Sequence, residues 1–126
     1  MRRLRDNKML AAIQKGAIVL GLSALAVIPS AQASTTVYTF GGLLSGSLKE
    51  CLSNAKAAAT KAGFTANQQE ILDANQKGGD FHASKPDTPA SMSMRCDPTL
   101  GVYSIGVSGV DAKTTFESLR AIVKSL

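Results

Sequence analysis

Polar and apolar residues exchange along this chain in distinct rhythms, and each rhythm predicts an element. In "TTVYTF" (Thr35–Phe40), Val37 and Thr39 fall on one face and Tyr38 and Phe40 on the other. β-Branched and aromatic residues at a period of two predict a first strand. "GGLLSG" (Gly41–Gly46) then interrupts the alternation. From Leu48 to Ala62 the rhythm changes. Leu48, Cys51, Leu52, Ala55, Ala59 and Ala62 recur every three or four residues, with Lys49, Ser53, Lys56 and Lys61 between them. That spacing lays one apolar stripe along an alanine-rich helix. Ser47 and Glu50 have the spacing of a capping box at its start, and Gly63 supplies a left-handed stop at its end.

The stretch Phe64–Asp73 has no clear period. A short strand is expected at Phe64–Ala66 and an irregular edge near Ile71–Leu72. "KGGD" (Lys77–Asp80) reads as a turn, "FHAS" (Phe81–Ser84) as a short strand, and "KPDTPA" (Lys85–Ala90) as a loop pinned by its prolines. Alternation returns in "SMSMRCDPTLGVYSIGVSG" (Ser91–Gly109), where Met92, Met94 and Cys96 share a face and Ser93 and Arg95 point away. "DPTLG" (Asp97–Gly101) turns the chain. Tyr103, Ile105 and Val107 then line one face of a partner strand, with Gly106 and Gly109 permitting close approach or a bulge. Asp111 is the expected N-cap of a final helix whose buried stripe is Ala112, Phe116, Leu119, Ile122, Val123 and Leu126. There is no internal repeat, heptad array or low-complexity tail. The order strand, helix, two to four strands, helix predicts an α+β fold. We expect a small two-layer sandwich, an antiparallel sheet of three to five strands with two helices on one face.

The N-terminal rhythm is different. "AIVLGLSALAVI" (Ala17–Ile28) is apolar throughout, follows the basic Arg2, Arg3, Arg5, Lys8 and Lys15, and leads to Pro29 and "AQA" (Ala31–Ala33). This is the layout of a cleavable signal peptide, with cleavage expected after Ala33. A helix needs about 20 apolar residues to cross a bilayer, more than this run supplies. Residues 1–33 are thus expected to be an address and residues 34–126 one stapled domain, placed in the periplasm or secreted.

That division changes the meaning of the charge. The whole chain carries 14 basic and nine acidic residues, a net +5. Five of the basic residues and one acid, Asp6, lie in the first 33, which leaves nine basic against eight acidic residues and a net +1. The basic character belongs mostly to the address, so no nucleic-acid partner is expected. Both cysteines, Cys51 and Cys96, lie in the remaining domain, and an even count in an oxidising compartment favours a disulfide. Cys51 lies on the inward stripe of the first helix and Cys96 on the apolar face of a central strand, so both point into one layer. Two buried free thiols or a catalytic pair are the alternatives. A redox pair, however, is expected as Cys-x-x-Cys, and zinc needs more ligands than these two and the lone His82.

Other candidate chemistry is sparse. Ser53-Asn54-Ala55-Lys56 fits S-x-x-K, in which a lysine activates a serine. The accompanying lysine motif and larger body are missing, and both residues read as the solvated side of the helix. "GVSG" (Gly106–Gly109) fails the serine elbow because Val110 replaces the last glycine. "GGLLSGS" lacks a phosphate-loop lysine. Met92 and Met94 suit core filling better than copper(I), given their period of two beside Cys96. Asp73, Asp80 and Asp87 are too irregularly spaced for a calcium loop. No catalytic residue, metal or cofactor is expected.

The segments "LKECLSNAKAAATKAGF" (Leu48–Phe64), "SMRCDP" (Ser93–Pro98) and "VYSIGVSGVDAKTTFESL" (Val102–Leu119) resemble a loose group of small exported bacterial proteins of uncharacterised function. These have a signal peptide, a strand, a cysteine-bearing helix, a β-meander with a second cysteine, and a closing helix. The resemblance implies architecture and export, and brings no active site. The expected function is a non-catalytic exported binding or cell-envelope accessory domain, with an unknown protein or small-molecule partner and no stable membrane insertion after signal cleavage. The alternative is a small secreted inhibitor or immunity-type protein, for which "HASKPDTPAS" (His82–Ser91) is the candidate loop.

Overall fold

Two helix caps and one glycine set the frame. The computed structural model describes residues 35–126; the expected signal peptide and its cleavage point lie outside the described residues. Helix α1 (Leu48–Lys61) begins as its sequence predicts, with the Ser47 hydroxyl accepting from the Glu50 amide and the Glu50 carboxylate accepting from the Ser47 amide at 2.8 Å. It ends in a Schellman arrangement. The Phe64 amide donates to Ala59 O at 2.9 Å, the Gly63 amide donates to Thr60 O at 3.0 Å, and Gly63 takes φ +88°. That geometry swings Phe64 under the helix, where it is fully buried. The expected strand at Phe64–Ala66 is therefore corrected: Phe64 is a core plug, and the strand starts only at Ala66.

Strands β1 (Thr36–Leu43), β2 (Ala66–Leu72), β3 (Gly79–Ser84), β4 (Ser91–Asp97) and β5 (Val102–Gly109) form one antiparallel sheet. Their order is β1-β5-β4-β3-β2. β2 to β5 are a meander, and β1 pairs with β5 without interruption from Thr36↔Gly109 to Leu43↔Val102. β1 thus runs through Gly41 and Gly42, which the sequence suggested would break it. The cause is Tyr103: a Cβ on Gly42 would lie 2.6 Å from its phenol oxygen, so the glycine makes room for the ring across the strand. β2 is one continuous strand where two fragments were expected. It slips register between Ala66 and Gln69, with Asn67 at φ +51°. The expected turn at Lys77–Asp80 is shorter, since Gly79 and Asp80 already belong to β3.

Helix α2 (Ala112–Ser125) is capped by Asp111, whose carboxylate accepts from the Thr114 amide at 2.7 Å. α1 packs over β3 and β4, and α2 over β1 and β5. Leu52, Phe64, Phe81, Met92, Met94, Cys96, Ile105, Val107 and Ile122 fill the layer between helices and sheet. The α+β sandwich with both helices on one face is as expected. The stripe of α2 is as expected at Leu119, Ile122 and the half-buried Val123, and differs elsewhere. Thr115, Ser118, Leu119 and Ile122 are its buried residues, whereas Ala112, Phe116 and Leu126 are exposed. The helix is rotated so that two small hydroxyl side chains face the centre of the layer, and the Phe116 ring lies at its border against Tyr38. The Thr115 hydroxyl donates to Asp111 O, and Ser118 accepts from Lys85, which satisfies both inside the layer.

Candidate functional site

The residues singled out by sequence fall into three places. The first is the helix–sheet layer. Cys51 in α1 and Cys96 in β4 form a disulfide with Cα atoms 6.2 Å apart, and both residues are buried. Met92 and Met94 share the Cys96 face and are buried, which accounts for them as core. The bridge ties α1 to the centre of the sheet, and its burial makes it a structural element.

The second place is the outer side of α1. Ser53 and Lys56 are both exposed there, and Ser53 makes no hydrogen bond to Lys56. A serine needs a positioned base within hydrogen-bond reach to act as a nucleophile. The motif is assembled in sequence only.

The third place is the sheet face that neither helix covers. Alternation puts Thr39, Ser84, His82, Ser91, Ser93, Ser104, Gly106 and Ser108 on it, opposite the packed set Phe81, Met94, Ile105 and Val107. His82 stands across from Ser93 on one side and Gln69 on the other. Short polar side chains make the centre of this face flat, while Val37, Leu43, Ile71 and Val102 place exposed apolar side chains at its margins. At its β2–β3 end, Arg95 reaches across from β4 and forms a bidentate pair with Asp73, at 2.7 and 2.6 Å, and a third bond to Asp80 at 3.0 Å. The guanidinium hydrogen bonds hold the Asp73 carboxyl below its ordinary range, against a smaller desolvation effect. The same bonds, first to Asp73 and then to Asp80, raise the Arg95 pKa. Asp73 and Asp80, too irregularly spaced with Asp87 for a calcium loop, instead clamp Arg95, a role their spacing does not reveal. The signal was the register: Asp80 lies opposite Arg95 on adjacent strands, and only pairing β3 with β4 shows it.

The β3–β4 connection joins this face to the helix layer. His82–Ser84 and Ser91 of the candidate loop lie in strands, so the loop proper is Lys85–Ala90. It is clamped at its base, where the Lys85 amide donates to Ala90 O at 3.0 Å. The Lys85 ammonium folds back, donating to Ser118 Oγ at 3.0 Å and sitting 5.1 Å from the centre of the Phe64 ring. Pro86, Asp87, Thr88 and Pro89 are left exposed at the tip. Beneath the loop a cavity of about 220 Å³ is lined mainly by Lys85, Pro89, Val110, Thr115 and Ser118.

Among the described residues no group of three His, Cys, Asp or Glu side chains is placed to hold a metal ion. No helix among them is long and apolar enough to cross a membrane. In comparisons with protein-family models, curated proteins and solved structures, nothing matches this chain.

Proposed function

We propose that the protein is a non-catalytic, exported binding domain that presents the uncovered face of its sheet to a protein partner in the cell envelope. The observation that carries this reading is the flat, serine-rich face itself. It spans β5, β4 and β3, is covered by neither α1 nor α2, and has its one guanidinium already paired with Asp73 and Asp80. Such a surface offers hydroxyl groups and exposed backbone edges without the convergent acid, base or nucleophile that turnover needs. Export is supported by the signal-like N-terminus and by the buried disulfide, which persists in oxidising compartments. Intact-mass analysis of the exported protein should give Ser34 as its first residue. A product retaining Met1 would remove the export reading.

A second reading, an inhibitor or immunity-type protein, is favoured by the clamped Lys85–Ala90 loop. A loop held at its base and tethered through Lys85 presents its tip at little ordering cost. Photo-cross-linking groups placed at Ser104, at Asp87 and, as a control, at Lys61 separate the two readings. Capture of one partner at Ser104, abolished by Ser93→Arg, supports the sheet-face reading. Capture at Asp87 alone, with loss of the captured enzyme's activity, supports the second. Labelling of all three positions alike refutes both.

A further inference from the structure

β1 is the outermost strand among the described residues, and it lacks every device that protects the opposite edge. β2 slips register at Asn67 and carries Glu70, features that discourage edge pairing. β1 has eight residues with no charge, no proline and no register shift. The Leu44 amide donates to Gly101 O at 2.8 Å, in continuation of the β1–β5 register. Antiparallel alternation then turns the backbone groups of Val37, Thr39, Gly41 and Leu43 outward, without a partner among the described residues. The same border carries the most exposed apolar side chains of the strand, Val37 at 60%, Leu43 at 87% and Phe40 at 42%.

The helix beside this edge is equally incomplete. Ala112, Phe116, Leu119, Val123 and Leu126 follow a 4-3-4-3 spacing, the seam of a paired helix. Only Leu119 of these is buried, and Phe116 remains 45% exposed although its ring rests 5.3 Å from that of Tyr38. α2 runs alongside β1 in the same direction, with Phe116 beside Tyr38 at one end and Leu126 beside Leu43 at the other.

We propose that β1 and the lateral face of α2 form a two-fold interface with a second copy of this chain, β1 pairing antiparallel with β1 about Phe40. This register uses the whole strand. Val37 faces the partner's Leu43, Thr39 faces the partner's Gly41, and the two Phe40 residues meet at the axis. All outward backbone groups are then paired, and no charge opposes a like charge within the strands. The helix spacing fits independently. α2 lies over the β1–β5 pair, half a strand spacing from β1, so the axis places the two α2 helices about two strand spacings apart. At ~4.8 Å per spacing that is about 10 Å, the distance at which helices pack. With about 3.4 Å per strand residue and 1.5 Å per helix residue, an axis at Phe40 falls beside residues 119–120 of α2. Phe116 is thereby set against the partner's Val123. The members of the stripe that the monomer leaves exposed, Phe116 above all, are the ones this pairing covers.

Sedimentation of the full chain decides the matter. Wild type should form a dimer, and V37K/L43K should be monomeric at tenfold higher concentration with an unchanged circular dichroism spectrum, because lysines then oppose lysines at both ends of the ladder. V37E/L43E should also be monomeric, and mixing the two variants should restore a dimer. F116K should weaken wild-type association at least tenfold. A wild type that stays monomeric at about 0.5 mM, weaker than any specific interface of standard size, overturns the proposal. So does a dimer that survives V37K/L43K. Neither outcome touches the sheet-face reading, which is tested at Ser104.

Discussion

Removing the Cys51–Cys96 bridge is the perturbation with the clearest magnitude. The cysteines are 45 positions apart, so the bridge closes a loop of 46 residues in the unfolded chain. Chain-entropy arguments assign such a loop about 4 kcal/mol. A domain of this size is expected to have roughly 5–14 kcal/mol in total. Cys51→Ala with Cys96→Ala removes the cross-link without adding a polar group, and should cost about 2–5 kcal/mol. Cys51→Ser with Cys96→Ser should cost more. Both sites are sealed from water, at 3% and 0% exposure, and an unpartnered buried hydroxyl adds about 1–3 kcal/mol. The assay is urea unfolding of oxidised wild type, reduced wild type and both double variants. The midpoint should fall in that order, with reduced wild type close to the alanine pair. The urea dependence should steepen once the unfolded chain is no longer cross-linked. On heating, a 3 kcal/mol loss corresponds to a fall of roughly 12–24 °C in Tm. A serine pair as stable as wild type would refute the reasoning, because it would mean that neither loop closure nor burial at these sites matters.

Acid should destabilise the fold in a defined window. Asp73 is lowered from 3.8 by Arg95, Glu50 from 4.5 by Ser47, and Asp111 from 3.8 by Thr114. Each therefore adds stability that is present above its unfolded pKa and lost as pH falls through the folded one, so urea midpoints should be level near neutrality and drop below about pH 4. Arg95→Met should bring the Asp73 carboxyl shift, followed by NMR titration, back toward 3.8; a lowered value that persists would show that the clamp is not its cause. Phe64→Ala should cost about 3–5 kcal/mol by urea unfolding, since the ring is fully buried in the core. Residues 34–126 alone, with nine basic against eight acidic residues, should show no salt-sensitive binding to nucleic acid or anionic vesicles at about 150 mM salt; binding that weakens steeply as salt rises would reveal a basic patch, Lys49 and Lys56 on α1 being the place to look.

Legibility in the sequence followed burial. β4 and β5 have one buried face each, so their alternation is clean, and their residues, turn and inward set are all readable in advance. α1 was readable through its caps, because Ser47, Glu50 and Gly63 act locally. β2 is an edge strand with most of its residues exposed, and "ANQQEIL" carries no period because nothing forces one on it. The α2 stripe misled for a related reason. The helical pattern records every apolar surface that Phe116 and Leu119 contribute to, and cannot say which one faces the sheet. The arginine clamp was invisible because its partners come from the β2–β3 turn, β3 and β4, and meet only once the strands are in register.

The two helices are held to the sheet by unlike means, and this should govern how the domain opens. α1 is tied covalently through Cys51, seats five buried residues, and is continued by the Phe64 plug beneath its end. α2 has no covalent tie. Of its four buried residues two are Thr115 and Ser118, which contribute little hydrophobic burial, and its one aromatic side chain, Phe116, is left 45% exposed. The difference lies in the cross-link: α2 is held to the sheet by noncovalent burial alone, chiefly of Leu119 and Ile122, whereas α1 cannot leave β4 while the disulfide is intact. Hydrogen exchange under native conditions should therefore show α2 and β1 opening before α1, β3 and β4, as one cooperative unit of lower free energy. Reduction of the disulfide should then narrow the gap by loosening α1, leaving the exchange of α2 almost unchanged. Equal protection of both helices in the oxidised protein would contradict this, and would mean that the contacts of Leu119 and Ile122 match a covalent staple. Where the gap does appear, it marks the β1–α2 border as the side on which a bound partner adds most to stability, since binding there supplies the apolar cover that the chain alone does not.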